Sequence, residues 1–352
     1  MDTHAIAIMK RARYPAISLR NRGSRTLALV TALSCAACVT VQLPRGDSVS
    51  SSGAPAPAAA SRARADTLAA SAAALLRAGD TTAAIAAYRL AMAADPTHAA
   101  AGSLITTLYD AGHTHAALAL GAHYRQHGPR NPRALFRYGW ALGYTWQVDK
   151  AEAVFRELIG IDSGGIYEGW GHGELAYLAR ARGNAAEAIR QMELAILARP
   201  DDQISRVGLA TMLLDAGRPH EAIPLLELAL SRDTLARGYG QLPAQLLLGS
   251  ALAAVGDTIA GRALLARLEP RMRNFAPSRR MQLYLAQGRR EDALSLAQQT
   301  PVISLYGGPE PNDRLLAPLL GEPRYEALLA RSRASIDARR RELGLRAIVT
   351  AR

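Results

Sequence analysis

The sequence predicts an all-α fold, a solenoid of stacked helical hairpins, and three observations carry that prediction. Glycine and alanine five residues apart recur at Gly79/Ala84, Gly112/Ala117, Gly183/Ala188, Gly217/Ala222 and Gly288/Ala293. Gly256/Gly261 keeps the spacing with a second glycine, and Trp146/Ala151 keeps it with tryptophan in the first slot. Successive pairs sit 33, 34, 37, 34, 39 and 32 residues apart, and a period near 34 residues marks an array in which each unit packs on its neighbours. Hydrophobic residues make up 49% of the chain and aromatics only 5%, so alanine and leucine, both strong helix formers, must fill the core. The 352 residues are too many for one simple core and suit such an array. Arrays of this kind mostly build extended binding surfaces rather than catalytic centres.

The first 64 residues stand apart from the repeats. From Met9 the chain runs through a basic stretch, an apolar run at Leu27–Leu33, then small residues around Cys35 and Cys38. Positive, apolar, small is the layout of a secretory signal peptide, and the apolar run is too short to span a bilayer. A start at Met1 or at Met9 leaves that layout unchanged. The region around the cysteines resembles a bacterial lipoprotein signal, whose processing box is a leucine, two small residues and the cysteine that receives the lipid. Neither candidate has leucine three residues before its cysteine; Cys38, preceded by Ala36 and Ala37, is preferred to Cys35. The resemblance implies a signal peptide over 1–38, export, and a membrane anchor through lipid on Cys38 (or Cys35). An ordinary cleaved signal gives a periplasmic protein instead. Residues 39–64, rich in Ser, Ala, Pro and Gly with no helical period, read as a disordered linker that tethers the folded part.

The net charge of +12 suggests nucleic acid until it is divided along the chain. Residues 1–64 carry 9 basic and 2 acidic groups and residues 320–352 carry 8 and 4, which leaves 25 basic against 24 acidic between them. The body is nearly neutral and lacks the basic stripe of a nucleic-acid surface, so no nucleic-acid partner is expected. No cysteine follows Cys38, which excludes disulfide scaffolds, cysteine zinc sites and thiol catalysis for the body.

Residues 65–301 divide into about seven units. In the first, a helix is expected from an N-cap near Asp66 to Gly79, where glycine supplies the left-handed closing turn. A second helix follows Thr81–Thr82 and is closed by Asp95–Pro96. Small residues recur on the first helices at Ala72, Gly139, Ala176, Ala210 and Gly249, where paired helices must approach. Large apolar residues recur one turn after the alanine column, at Tyr88, Phe155, Met192, Leu226 and Leu265. This pattern resembles the tetratricopeptide repeat. The resemblance implies a right-handed superhelical solenoid of helical hairpins whose first helices line a concave groove. Units two, six and seven depart from the pattern: Ile105 and Met281 replace the small residue, Gly121 the aromatic and Gly261 the alanine.

Residues 302–311 break the period, and residues 312–346 read as two helical stretches separated near Gly321–Pro323. A capping helix pair that hides the apolar end of the array is the plain reading. The same segment resembles the tail that follows such repeats in bacterial regulators with kinase or cyclase modules, none of which is present here.

Nine of the eighteen aromatic residues fall between Phe136 and Tyr177. Phe136, Trp140 and Tyr144 share one helix face at i, i+4 spacing, and Trp170 and Tyr177 share another. The resemblance places these five on first helices, facing the groove, as a partner-binding patch; packing between adjacent repeats is the competing reading. His123 and His127 are i and i+4 on a helix, but Tyr124 stands where a zinc-protease helix needs glutamate, so no metal is expected. The chain has neither a phosphate-binding glycine loop with lysine nor a Gly-x-Ser-x-Gly elbow. Chaperone-binding relatives grip a carboxylate with lysine and asparagine, and Lys150 is the only lysine in the repeats. The expectation is a non-enzymatic scaffold of the cell envelope, without cofactor or small-molecule substrate, that binds another protein's segment in its groove. A cytoplasmic regulatory arm of a kinase or cyclase system is the alternative.

Overall fold

The computed structural model describes residues 57–348 except 129, 233–239, 304–305 and 307–312. The expected signal peptide, with Cys35 and Cys38, and linker residues 39–56 lie outside the described residues. Among those described, every regular element is helical, and no helix is long and apolar enough to cross a membrane.

Seven hairpins follow one another. They are α1 (Pro57–Ala78) with α2 (Thr81–Ala94), α3 (Ala100–Asp110) with α4 (Thr114–Gln126), and α5 (Pro132–Tyr144) with α6 (Val148–Ile161). Next come α7 (Ile166–Ala181) with α8 (Ala185–Ala198), and α9 (Gln203–Asp215) with α10 (Pro219–Ser231). The last are α11 (Gln241–Ala254) with α12 (Thr258–Ala266), and α13 (Pro277–Ala286) with α14 (Arg290–Gln299). Each hairpin packs against the next along the chain.

The recurring glycines close the first helices. Gly79, Gly112, Gly183, Gly217, Gly256 and Gly288 all have positive φ, the left-handed conformation that glycine adopts at least cost. At Gly112 the following N–H of His113 donates back to the carbonyl of Leu108 at 2.9 Å, a Schellman closure. Trp146 stands in the same slot and takes the same turn, with φ of 61° and the Gln147 N–H on the Leu142 carbonyl at 2.9 Å. Side-chain caps start several second helices: Asp80 accepts from the Ala83 N–H, Asn184 from Glu187 and Asp257 from Ala260.

The alanine column is the seam between paired helices. Ala84, Ala117, Ala151, Ala222 and Ala293 are fully buried. Opposite them, Gly139 lies under the Phe155 ring, where an added Cβ would sit 2.7 Å from Cε1. Gly261 is needed for a closer approach still, since a Cβ there would meet the Gly249 carbonyl oxygen at 2.8 Å. Unit two repairs its missing aromatic from outside: the ring of Tyr138, on α5, occupies the space above Gly121. Ile105 and Met281 fill their small-residue positions with no exposed surface.

The array begins earlier than the expected cap near Asp66. Residues 57–64 of the expected linker are the first turns of α1, with proline at the permitted first position and alanine-rich turns behind it. Asp66 is therefore mid-helix, and its carboxylate is 2.8 Å from Nε2 of buried His98 in the next unit. Arg62 pairs with Asp95 at 2.8 Å across the same hairpin. At the other end, the first of the two expected stretches is only a 3-10 turn, Ala317–Leu319, with Pro318 inside it. The second is α15 (Pro323–Glu342). Tyr325, Leu328 and Leu329 of α15 are buried with Met281, Leu294 and Ala297, so the helix does cover the end of the last hairpin.

Candidate functional site

The five aromatic residues expected in one groove patch occupy three settings. Phe136 is buried, its ring 6.0 Å from Phe155, 5.9 Å from Tyr167 and 5.5 Å from Trp170. It is part of the seam that joins α5, α6 and α7. Trp170 is half-buried there, with the Arg199 guanidinium 5.5 Å over its ring. Tyr177 is half-buried against the apolar core of α7 to α11. Trp140 and Tyr144 stand together, ring centroids 4.3 Å apart, with Tyr109 of α3 at 5.4 and 5.8 Å from them.

Trp140 is buried and Tyr144 half-buried, and Tyr306 of the C-terminal segment packs on their cluster. The Tyr306 ring packs 4.7 Å from Tyr144. It rests on the bare backbone of Gly143, where an added Cβ would lie 2.5 Å from Cε2 of the ring. Further along the chain, Arg314 and Leu315 contact the first helices of later units. The Arg314 N–H donates to Asp215 of α9 at 3.1 Å, and Leu315 packs half-buried on the α7 to α11 core.

A buried polar cluster fixes these contacts. Arg180 on α7 donates to Asp215 at 2.5 Å and lies 3.7 Å from Asp313. Gln282 on α13 donates to the same Asp313 carboxylate at 2.6 Å. Burial pushes the Asp215 carboxyl above its ordinary range; Arg180 opposes that shift and the neighbouring Asp313 adds to it. One guanidinium thus serves two carboxylates, an arrangement that is held in place only while all three groups stay paired. Beside it lies an open cavity of about 360 Å³, lined by Arg180, Met212, Asp215, Arg314 and Ala317 among others.

The C-terminal end of α15 completes the crossing. Arg339 donates to the Tyr109 hydroxyl at 2.7 Å, with its guanidinium 5.4 Å over that ring. Arg340 donates to the carbonyl oxygens of Thr145 at 2.7 Å and Trp146 at 3.0 Å, the turn where tryptophan replaces glycine. At 1.5 Å rise per residue, a helix of 20 residues spans about 30 Å. It therefore runs from the last hairpin back to units two and three.

Sequence reasoning did not find Tyr109, Gly143, Arg180, Asp215 or Tyr306 as parts of this surface. The available signal was positional. Tyr109, Tyr144, Arg180 and Asp215 each sit two or three residues before the closing glycine or its tryptophan substitute. Among the described residues, no three metal-ligating side chains converge. His123 and His127 are exposed, with ring centroids 5.9 Å apart.

No protein-family model and no curated protein sequence matches the chain. Among solved structures, it is similar to a tetratricopeptide repeat protein from Parabacteroides merdae, at 15% identity and a TM-score of 0.49, over 76% of this chain and 98% of that one. It is also similar to pilF of Pseudomonas aeruginosa (14% identity, TM-score 0.39, 77% and 99% covered). A thermophilic tetratricopeptide protein of Thermus thermophilus is a third (15%, 0.33, 63% and 98%). At these values the fold assignment rests on the hairpin geometry described above.

Proposed function

We propose that this protein is a non-enzymatic scaffold of the bacterial cell envelope, exported and lipid-anchored through Cys38 or Cys35, that binds an extended segment of another protein on its first-helix face. One observation carries the binding part: that face already holds polypeptide, with an aromatic ring set on bare helix backbone and a carboxylate set on buried arginine and glutamine. Repeat arrays bind by laying chain across such a surface. The envelope part is supported by the basic, apolar, small layout of the N-terminal residues.

Two measurements on the natively expressed protein test the two parts. A photoreactive residue in place of Tyr177, on the first-helix face, should yield a discrete crosslinked protein. The same residue in place of Ile259, 85% exposed on a second helix, should not. No adduct from either position sinks the binding reading. Intact mass from the membrane fraction should show a chain that begins at Cys38 or Cys35 and carries acyl groups. An unmodified chain from Met1 or Met9 in the soluble fraction removes the envelope reading and favours the cytoplasmic regulatory arm.

A further inference from the structure

The near-neutral charge of the array conceals a local surplus. Residues 262–290 hold eight arginines and a single acidic residue, Glu269. The rest of residues 65–319 is left with 17 basic against 23 acidic groups. Arg289 pairs with Glu269 at 2.7 Å and with Asp292 at 2.6 Å, and Arg290 pairs with Glu322. Among the described residues, no carboxylate lies within ion-pair distance of the other six, Arg262, Arg267, Arg271, Arg273, Arg279 and Arg280.

Two of the six, Arg273 and Arg280, line one recess. The second helices of the first five units have 13 or 14 residues, but α12 has 9. Pro270 stops it, because it has no N–H for the Ala266 carbonyl and its ring crowds that oxygen. Beside the shortened end lies an open cleft of about 500 Å³, whose lining includes Met272, Leu283 and Tyr284 as well as the two arginines. The carboxylate in that lining, Glu269, is engaged by Arg289, whose guanidinium lies 4.7 Å over the Tyr284 ring. Arg280 is half-buried and reaches the Tyr284 hydroxyl at 3.4 Å. Arg273 is exposed and makes no hydrogen bond among the described residues. The Arg289–Glu269 pair ties the walls together, as does Gln287, which donates to the Leu265 carbonyl at 3.2 Å. The recess is thus formed before anything enters it, which lowers the cost of binding.

This cleft and the first-helix face lie on opposite sides of α13. Arg280, Leu283 and Tyr284 share one side, at i, i+3 and i+4, while Gln282, which holds Asp313, is about 200° round the helix from Arg280. A recess lined by one sign of charge, with apolar walls, concentrates its field on an incoming anion. We propose that it is a second partner site, which takes an acidic segment of another protein and seats that segment's side-chain carboxylates on Arg273 and Arg280. Guanidinium forks match carboxylates with two parallel hydrogen bonds. A cleft of this size suits an occupant larger than one free phosphate, since ligand sites run about 300–1,000 Å³. A planar membrane surface would meet protruding arginines and miss the half-buried Arg280. Single-stranded nucleic acid stacks its bases on successive aromatic rings, and the ring in this lining, Tyr284, is already covered by Arg289. The site is independent of the first-helix reading, and either can fail alone.

The test titrates a fluorescein-labelled peptide of alternating glutamate and glycine into the full chain and follows anisotropy. The Arg273→Gln, Arg280→Gln variant should lose roughly tenfold or more in affinity. Arg77→Gln with Arg89→Gln removes the same charge from exposed positions in unit one. Being distant and screened, that change should alter binding less than about twofold. The same peptide with glutamine for glutamate should not bind. No binding by the unsubstituted chain overturns the proposal. Equal losses in the two double variants overturn it too, since the peptide then follows overall charge. Should Arg273→Gln, Arg280→Gln lose helical circular dichroism, Arg273→Gln alone gives up no hydrogen bond within the fold. It must then weaken binding by about threefold, and unchanged binding overturns the proposal. Inorganic phosphate, phosphatidylglycerol vesicles and a single-stranded oligonucleotide serve as competitors. Any of them that displaces the label more strongly than unlabelled peptide does assigns the cleft to that ligand and overturns the acidic-segment reading. Peptide binding without a crosslink from Tyr177 rejects the first-helix reading alone. The crosslink without peptide binding rejects this site and leaves the scaffold reading standing.

Discussion

Gly143 and Tyr306 are complementary as backbone and ring: the tyrosine lies where a side chain on residue 143 would have to be, 2.5 Å from Cε2 to the missing Cβ. Gly143→Ala should therefore act through Tyr306 rather than through its own helix. Alanine inside a helix is favoured over glycine by roughly 0.5–1 kcal/mol, while forcing an atom into a packed contact costs about 1–3 kcal/mol. In the natural chain the second effect wins and the variant is destabilised. In a Tyr306→Ala background only the first remains, so the same change becomes neutral or stabilising. Denaturant melts of the four proteins give the coupling directly, and additivity within about 0.5 kcal/mol would show that the two residues do not meet.

Asp95 and Asp215 should bend the pH dependence of stability in opposite directions. Asp95 accepts from the Thr97 hydroxyl at 2.6 Å, the Thr97 N–H at 2.9 Å and Arg62 at 2.8 Å. These bonds hold its carboxyl at about 2, below the usual 3.8. A depressed carboxyl favours the folded state above 3.8, and that stability is lost as pH falls toward about 2. Asp215 is raised by burial, so the folded state binds its proton more tightly than the unfolded chain does. Its contribution is full below 3.8 and is lost as pH rises through its folded value. Melting temperature against pH should lose part of its acid-side fall in Asp95→Asn. In Asp215→Asn the decline on raising pH should shrink. Parallel curves for either variant would count against the arrangement described for it.

Arg339 and Arg340 should hold the C-terminal crossing without holding the array. Hydrogen bonds to charged groups contribute about 1.5–3 kcal/mol, and these join α15 only to Tyr109, Thr145 and Trp146. Each hairpin meanwhile keeps its own neighbours. The Arg339→Ala, Arg340→Ala variant should keep its helical signal while limited proteolysis cuts residues 302–348 sooner than residues 65–301. Simultaneous loss of both regions would mean that the crossing is needed for the array to fold.

Phe155 should be the costliest single truncation in the seam of unit three. It is fully buried, packs its ring tilted against Phe136 at 6.0 Å and covers Gly139. Truncating a buried phenylalanine costs about 3–5 kcal/mol. Because the space opens over Gly139, Gly139→Ala should recover part of the loss in a Phe155→Ala chain and be damaging alone. A chemical melt in which Gly139→Ala worsens Phe155→Ala would contradict that packing.

The array was legible in the sequence because its requirements are local. A closing turn with positive φ asks for glycine, and a close helix seam asks for alanine opposite glycine or alanine; both recur at fixed spacing whatever lies elsewhere in the chain. Unit two hid part of this, since the aromatic missing at Gly121 is returned by Tyr138 from the following helix. The start of the array was misplaced because capping favoured Asp66, whereas proline at the first turn and a run of alanines carry α1 back to Pro57. The crossing of the first-helix face was not legible at all. It depends on Tyr306 meeting Gly143, on Asp313 meeting Arg180 and on Arg340 meeting Trp146, contacts between distant parts of the chain that leave no period. Trp146 is the instructive case: sequence marks it as a departure from glycine, and only the structure shows its carbonyl clasped by Arg340.

Gly79 and Gly217 offer a matched pair for reading the tail's contact with the array. Both close first helices with positive φ, 88° and 74°. In the left-handed region an alanine costs about 1–2 kcal/mol, offset by about 0.4–1 kcal/mol from the narrower unfolded ensemble. Alanine at 79 meets nothing within 4 Å, whereas at 217 it meets the Arg314 guanidinium. That guanidinium is the far end of an exposed, flexible side chain and can move aside at little cost. Gly79→Ala and Gly217→Ala should therefore lower stability by similar amounts, within about 0.5 kcal/mol. They should differ in hydrogen exchange: only Gly217→Ala should speed exchange at the Arg314 and Leu315 amides, whose anchors are Asp215 and Asp313. Identical exchange in the two variants would show that Arg314 does not steady the segment over the array. A much larger stability loss at 217 would show instead that the arginine cannot yield, and that the tail is packed firmly there.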